Sequence, residues 1–494
     1  MAILKREYGG IQPYIPAGIF RVRIPFLHFN ISAPEVITGL MNAATSYSAL
    51  AVLTGTMGLD TNVAWALVIF ETCMYSCNWL LGEPSVCGWI TSAMAIVIVF
   101  LEGFDGSIAR LQAMTAVQLE LGILFLVLGL TGLAKQLNTL VPTGVKGGIV
   151  LGAGINAVYA RMSSGGAMDT ATWACLAGVV VVFFLMFSLR IRSKMETNKL
   201  VNIMGNYSFL FAVIVLFIVG GITGEFDYTG VGQEGIIRVP DLSMLFGAVS
   251  PFAIGWATPD VWLQALPIAL IAWVIAFGDF VTVQQLGIQA MRDDEFIELD
   301  PGRTNAVCGI RNVLLSLFAP YPALAGPLSP PYCVATYQRY KSGGREGMDS
   351  IYDGSATNLI FTMLGLFIFP VYQLAAASSS AILLTVMCIQ GYICTQICFD
   401  MCFDKVDEGV AGMMAGFILA RGGGIGLVAG LFLYLLLANT DKIKEDYRSA
   451  AERQRITDEE TAKKIAEAAA KREASKRAHD QGGTEEKKKP SDKE

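Results

Sequence analysis

The strongest constraint on this chain is where its charge is missing. A helix needs roughly 20 apolar residues to cross a hydrocarbon core of about 30 Å, and here such runs follow one another. Fourteen segments are legible, at 32–58, 61–82, 84–104, 111–131, 133–160, 168–189, 202–222, 258–288, 303–321, 330–338, 356–374, 378–399, 407–421 and 424–439. Of the 78 charged residues, 29 lie in the last 54 positions, which leaves 49 for the first 440. That is about 11% charge in the body, against about 25% for soluble chains. No ordinary hydrated surface can be built from such a body. The expected fold class is an all-α membrane protein with 14 transmembrane segments.

The same arithmetic excludes several functions. The net charge is −6, with basic residues matched by acidic ones, so no nucleic-acid partner is expected. The two histidines, His28 and His479, fall outside the apolar runs, which excludes a His-based catalytic or metal site in the membrane. Cys73, Cys77, Cys308, Cys388, Cys394 and Cys398 lie in apolar runs and read as small buried hydrophobes. Cys398 and Cys402 have i, i+4 spacing rather than that of a zinc cluster with His partners. No cofactor, no metal and no enzyme activity are expected. The first strongly apolar run starts only near residue 32, so no cleavable signal peptide is expected. Residues 1–31 read as an amphipathic lead-in that ends in Arg21 and Arg23.

Segments three and ten stand apart. They open on Gly82-Glu83-Pro84-Ser85-Val86-Cys87 and on Gly326-Pro327-Leu328-Ser329-Pro330-Pro331-Tyr332-Cys333. Extended stretches before half-helices are expected there, because proline breaks the helix and such backbone is tolerated only under cover of protein or a cavity. Placing both termini in the cytoplasm puts Arg190, Arg192, Lys194 and Lys199, then Arg339, Lys341 and Arg345, on the inner side. The loop 224–250, with Glu225, Asp227, Glu234 and Asp241 against Arg238, then faces outward and divides the chain into seven plus seven. Both Pro84 and Pro330 open a Pro-x-x-Cys, ending at Cys87 and Cys333. Seven is odd, so the second half runs in the opposite sense, an inverted repeat of the kind found in secondary transporters. In the charged tail, Thr457 to Glu460 reads as a capping box, and Gln481 onward reads as disordered.

Ionisable residues inside apolar segments are functional candidates. Asp279 lies well inside segment eight, with Gly278, Thr282 and Gln285 along the helix and no basic residue nearby in sequence. Such a carboxylate is suited to exchange a proton or bind a cation. Glu71 and Glu120 read as partners of neighbouring helices, and Lys146 as a residue reaching towards an interface. Arg311 either pairs with a carboxylate or supplies positive charge for an anion. Half-helices starting near Cys87 and Tyr332 would aim their N-terminal dipoles at the midplane, with Trp89 as a wall. The candidate substrate-binding set is Asp279, Asn42, Thr45, Ser46, Cys87, Trp89, Gln285, Ser329, Tyr332 and Cys333, with Asp279 also the candidate for a coupling ion.

The stretch 32–440 resembles the seven-plus-seven inverted-repeat fold of the xanthine/uracil permeases (nucleobase–cation symporter-2 family) and the sulfate permeases. The likeness lies in Ala276-Phe-Gly-Asp279, in Leu137-Asn-Thr-Leu-Val-Pro-Thr-Gly-Val-Lys-Gly-Gly148 and in Ala319-Pro-Tyr-Pro322. It implies that Asp279 takes the role of the substrate-binding carboxylate of helix eight. It also implies a core domain (32–130 and 251–376) moving in an elevator fashion against a gate domain (131–227 and 377–440), with homodimers formed through the gate. The sequence departs from the nucleobase permeases at Gly326, Pro327 and Leu328, where they carry a second carboxylate, and at Phe280, where they have histidine.

The expected function is a secondary active transporter in the cell (inner) membrane, coupled to H+ or Na+, for a small organic solute that is anionic or carbonyl-bearing, a nucleobase-like ring included. The alternative is a sulfate-permease-like carrier of an inorganic anion or bicarbonate. A channel and a membrane enzyme are the rival classes.

Overall fold

A computed structural model describes the chain from Ala2 to Ala466, apart from scattered single positions and pairs, residues 137–140 and most positions beyond 456. Each of the fourteen apolar segments contains a helix. These are α1 (Ala33–Ser46), α2 (Thr61–Cys73), α3 (Thr91–Glu102), α4 (Ser107–Thr131), α5 (Thr143–Met162), α6 (Thr172–Phe187) and α7 (Ser208–Thr223) in the first half. The second half has α8 (Pro259–Ala290), α9 (Pro301–Phe318), α10 (Pro330–Gly347), α11 (Ile351–Gly365), α12 (Phe369–Met401), α13 (Lys405–Arg421) and α14 (Gly423–Leu437). Caps set several starts: Asp60 accepts from the Asn62 N–H at 2.8 Å before α2, and Asp300 accepts from Gly302 and Arg303 before α9, with Pro301 in the first turn.

Among the described residues, four helical stretches are long and apolar enough to cross a bilayer alone: Thr61–Leu81, α4, α8 and Ser380–Asp400 within α12. A fifth joins them if α6 and Leu189–Met195, bent by 48°, count together. The remaining segments are shorter, less apolar or interrupted, so among the described residues helix length and composition support four or five crossings.

Several expected boundaries move, each for a local reason. The lead-in is a strap with a hairpin, β1 (Ile15–Ala17) and β2 (Phe20–Val22), whose Arg21 and Arg23 are taken up by ion pairs. Segment one is interrupted: α1 stops at Ser46, and a tight turn at Tyr47–Ala49 leads into Leu50–Gly55. Helix α10 outruns its apolar part and continues to a non-helical Gly344 (φ 58°, ψ −168°), since its Arg339 finds a partner in Glu35. Helix α12 starts at Phe369, so the boundary expected at 376 falls within it. Segment twelve is expected to start at 378, but the helix runs through that position, where the Ser378 hydroxyl donates back to the Leu374 carbonyl at 2.7 Å.

Small residues let the helices approach. A Cβ on Gly129 of α4 would lie 2.5 Å from the Ala306 N of α9, and one on Gly309 of α9 would lie 2.7 Å from Leu126 of α4. Gly148 of α5 faces Met414 of α13, while Gly154 of α5 faces Cys394 of α12. The most extensive pairings are α4 with α9, α1 with α11, α5 with α12 and α13, and α6 with α7. At one end of the molecule, two connecting segments pair with each other. Arg238 N–H donates to the Phe367 carbonyl at 3.1 Å, Phe369 N–H donates to Ile236 at 2.8 Å, and Ile237 bridges Ile368. The Arg238 guanidinium stacks on Trp65 and Phe369 and donates to Asn62.

At the opposite end the strap is clasped by charge. Arg6 forms a two-pronged pair with Glu295 (2.8 and 2.9 Å). Arg21, Arg23 and Arg303 all converge on Glu298, Arg23 at 3.3 Å and Arg303 at 2.9 Å. Arg23 also donates to the carbonyls of Gln12, Pro13 and Gly82, which ties the strap to the break before α3. At Gly82 (φ 90°) a side chain would strike the Arg21 carbonyl, so glycine is required there.

Burial works to raise the Glu298 carboxyl, but Arg303, Arg23 and Arg21 outweigh it and hold the group below its ordinary value of 4.5. Its contribution is thus fully present above 4.5 and is lost only as pH falls through the lower folded value. Protease protection of residues 6–23 should be the same at pH 7 and pH 5. Glu298→Gln, which leaves three buried guanidiniums without their carboxylate, should expose the strap to protease at pH 7. Equal protection in that variant would show that the clasp does not depend on Glu298.

Candidate functional site

The two proline-containing breaks meet. Residues 82–90 leave helix after Gly82 and pass through β3 (Gly88–Trp89), while β4 (Ala325–Gly326) lies between α9 and α10. The two strands pair antiparallel, Gly88 with Gly326 and Trp89 with Ala325. Around them the Ile90 N–H is shared between the carbonyls of Ala323 (3.2 Å) and Leu324 (3.1 Å), and the Ser329 N–H donates to Val86 at 2.8 Å. The backbone groups freed by the breaks are thus satisfied by each other, which is what an interior without water demands. A Cβ at Gly326 would lie 2.9 Å from the Trp89 backbone, so that position cannot carry a side chain.

Arg311 fastens this crossing. Its side chain is fully buried and donates to the Gly326 carbonyl at 2.8 Å and the Gly88 carbonyl at 3.4 Å, one from each break. The same guanidinium pairs with Glu71 at 3.4 Å and lies over the Tyr75 ring. Glu71 accepts the Trp89 indole N–H at 3.0 Å. Asn312, the next residue, acts as a third strand in miniature: its amide donates to the Ala325 carbonyl at 2.8 Å and accepts from the Ala325 N–H at 3.0 Å. Gln118 of α4 bonds both Asn312 (3.3 Å) and the Tyr321 N–H (2.8 Å).

Asp279 sits midway along α8, which packs on α3, α4, α5 and α10. It lies deep in the molecule yet is partly accessible, while Ile275, Phe280, Val281, Thr282 and Val283 around it are buried. Ile149 of α5 lies against the adjacent Gly278, and the Cys394 thiol of α12 is within electrostatic reach of the carboxylate. Among the described residues Asp279 has neither a hydrogen bond nor an ion pair.

The other expected residues divide into two groups. Cys87, Trp89, Ser329 and Cys333 are gathered at the crossing: the Cys333 thiol donates to the Val86 carbonyl at 3.2 Å, and Ser329 packs against Gly88. Trp89 is tilted against Tyr321 with ring centroids 5.7 Å apart. Tyr332 and Gln285 are half-buried, on α10 and α8. Asn42 and Ser46 are not brought there. The Asn42 amide donates to Asn358 of α11 at 2.8 Å, and the Ser46 hydroxyl returns to the Asn42 carbonyl. The side chain of Thr45 lies outside the described residues.

Glu35 of α1, which sequence reasoning passed over, is fully buried against Arg339 (2.5 Å), Thr336 (3.1 Å) and Asn358 (3.1 Å). Its signal was available as an acidic residue three positions into an apolar run. Glu120 of α4 has a buried carboxylate oxygen without a hydrogen-bond partner, and Lys146 is buried in the first turn of α5. A cavity of about 400 Å³ lies away from the crossing, lined by Asn30, Ser32, Arg345, Asp349 and Asp353.

No family model matches the sequence, and no curated protein matches it. Among solved structures, the chain is similar to the transmembrane domain of a cyanobacterial bicarbonate transporter, BicA, at 17% identity and a TM-score of 0.45, over 81% of this chain and 97% of that one. It is also similar to the murine solute carrier 26 family member A9 anion transporter in its inward-facing state, at 12% identity and a TM-score of 0.48, over 83% of this chain and 68% of that one. Another structure of SLC26A9 matches at 12% identity and a TM-score of 0.45, over 82% of this chain and 64% of that one.

Removing Arg311 would leave the Glu71 charge and two carbonyls buried without their donor. Arg311→Met should cost about 3–5 kcal/mol, read as a lower melting temperature in detergent, and adding Glu71→Gln should recover part of the loss. A melting temperature equal to wild type would contradict the fastening role.

Proposed function

We propose that this chain is a secondary transporter of a small inorganic anion, with substrate held where the crossed half-helices face Asp279. The observation that carries this reading is the crossing itself. Two half-helices begin beside one buried guanidinium, and the N-terminal ends of helices favour negative charge. Pro330 and Pro331 carry no N–H, so α10 contributes mainly its dipole. Helix α3 begins on Thr91.

Between the two substrate classes that the sequence leaves open, position 326 favours the inorganic anion. A carboxylate there is what a bidentate grip on a nucleobase edge would need, and the strand pair leaves no room for one. Leu328 is fully buried, and Phe280 stands where a second polar arm would be. Asp279, without a partner among the described residues, is then the place for a coupling cation, H+ or Na+, whose charge offsets that of the carboxylate while the anion is bound. Trp89, held by Glu71, walls the site.

In this reading α1–α4 with α8–α11 form a core that moves against α5–α7 with α12–α14. The paired segments 236–238 and 367–369 are the pivot between them, so they stay joined through the cycle. Dimerisation through the second group and both termini in the cytoplasm complete the proposal.

Uptake into proteoliposomes from a panel of sulfate, bicarbonate and uracil tests the substrate class. An anion should accumulate under an H+ or Na+ gradient, and Asp279→Asn should lower the initial rate at least tenfold. Uracil uptake without anion uptake would overturn the reading, and undiminished, still gradient-dependent uptake in Asp279→Asn would remove that residue from it. A disulfide between Ile237→Cys and Ile368→Cys should leave the uptake rate within twofold of the reduced form; its loss on oxidation would mean that the pair must open.

A further inference from the structure

The last turn of α12 carries two thiols that the transport reading leaves unused. Cys398 and Cys402 are free, with their Sγ atoms 4.0 Å apart. They face α5 at Gly147, where a Cβ would come within 3.1 Å of the Cys402 sulfur and 3.5 Å of the Cys398 sulfur. A bare glycine therefore leaves the pair its space. Cys398 is buried, whereas Cys402 is partly accessible where the helix ends, so the pair opens towards water at one corner. The nearby carboxylates of Asp407 and Glu408 are taken up by Lys442 (3.2 Å) and Lys405 (2.6 Å), so the two sulfurs are the ligands on offer.

We infer that Cys398 and Cys402 form a binding site for a soft, monovalent metal ion of the copper(I) class. A metal–thiolate bond of about 2.3 Å sets two sulfurs on one linearly coordinated ion about 4.6 Å apart, and a side-chain rotation of the pair, now at 4.0 Å, opens that span. The sulfurs reach ligating distance without unwinding the helix. Thiolate pairs select soft ions. Among the described residues no group of three or more His, Cys, Asp or Glu is placed to hold a metal, so an ion that demands four ligands, such as zinc, is not served here. On binding, each thiol releases its proton to solvent as the ion takes its place, with no change of oxidation state.

The test uses the full chain in detergent, reduced and without oxygen, competing for copper(I) with a coloured chelator. Wild type should withdraw one equivalent per chain. Cys398→Ser and Cys402→Ser should each weaken that uptake at least tenfold, and Cys73→Ser with Cys77→Ser, another pair spaced i, i+4, should retain it. In the unaltered chain, where folding is not in question, copper(I) should protect Cys402 from maleimide. Withdrawal of copper by a Cys398→Ser/Cys402→Ser chain as strongly as by wild type would overturn the proposal, as would full labelling of Cys402 in the presence of copper(I).

Discussion

Backbone that leaves a helix inside an apolar molecule must find its hydrogen bonds there, and most of this architecture follows from how that is done. Two segments break at proline, and each offers strand-like edges to the other. Neither break is stable alone, since each would bury orphan N–H and carbonyl groups at a cost of about 1–3 kcal/mol apiece. Together they close one short ladder, Gly88 to Gly326 and Trp89 to Ala325. Arg311 and Asn312 then satisfy what the ladder leaves over, and Glu71 answers the charge that Arg311 brings.

The second constraint is that buried charge must be partnered. Glu71 with Arg311, Glu35 with Arg339, and Glu298 with three arginines meet it by joining elements far apart in sequence. Pairs of this kind are weak sources of net stability, because desolvation offsets much of their attraction, but breaking one is costly. They act as registration marks for helices whose apolar faces would otherwise slide. Asp279 is the contrast: it is deep, partly accessible and without a partner among the described residues.

Much of the helical pattern could be read from the chain because apolar length and prolines are local signals. Each expected segment holds a helix, and the breaks at Pro84 and Pro330 stand where the proline runs placed them. The errors came where one residue's partner lies elsewhere. Segment twelve begins before its expected start at 378, where the Ser378 hydroxyl turns back on Leu374. Arg21 and Arg23 looked like a surface flank, and only Glu298, hundreds of positions later, makes them interior. Asn42 and Ser46 have the polarity of a binding site but spend it on α11 and on their own helix. Arg311 was undecided from sequence because both possible answers, ion pair and anion ligand, depend on which helix lies opposite.

The clasped strap bears on the order in which the molecule can be made. Arg6 and Arg23 emerge from the ribosome early, yet their carboxylates at Glu295 and Glu298 follow 289 and 275 residues later, and the Asp349 carbonyl that also accepts from Arg6 follows by 343. The crossing has the same property, for the first break waits on the second. Neither half of the chain can therefore settle during its own synthesis. The strap reaches its place only after the segments around Glu295, Glu298 and Asp349 have been made.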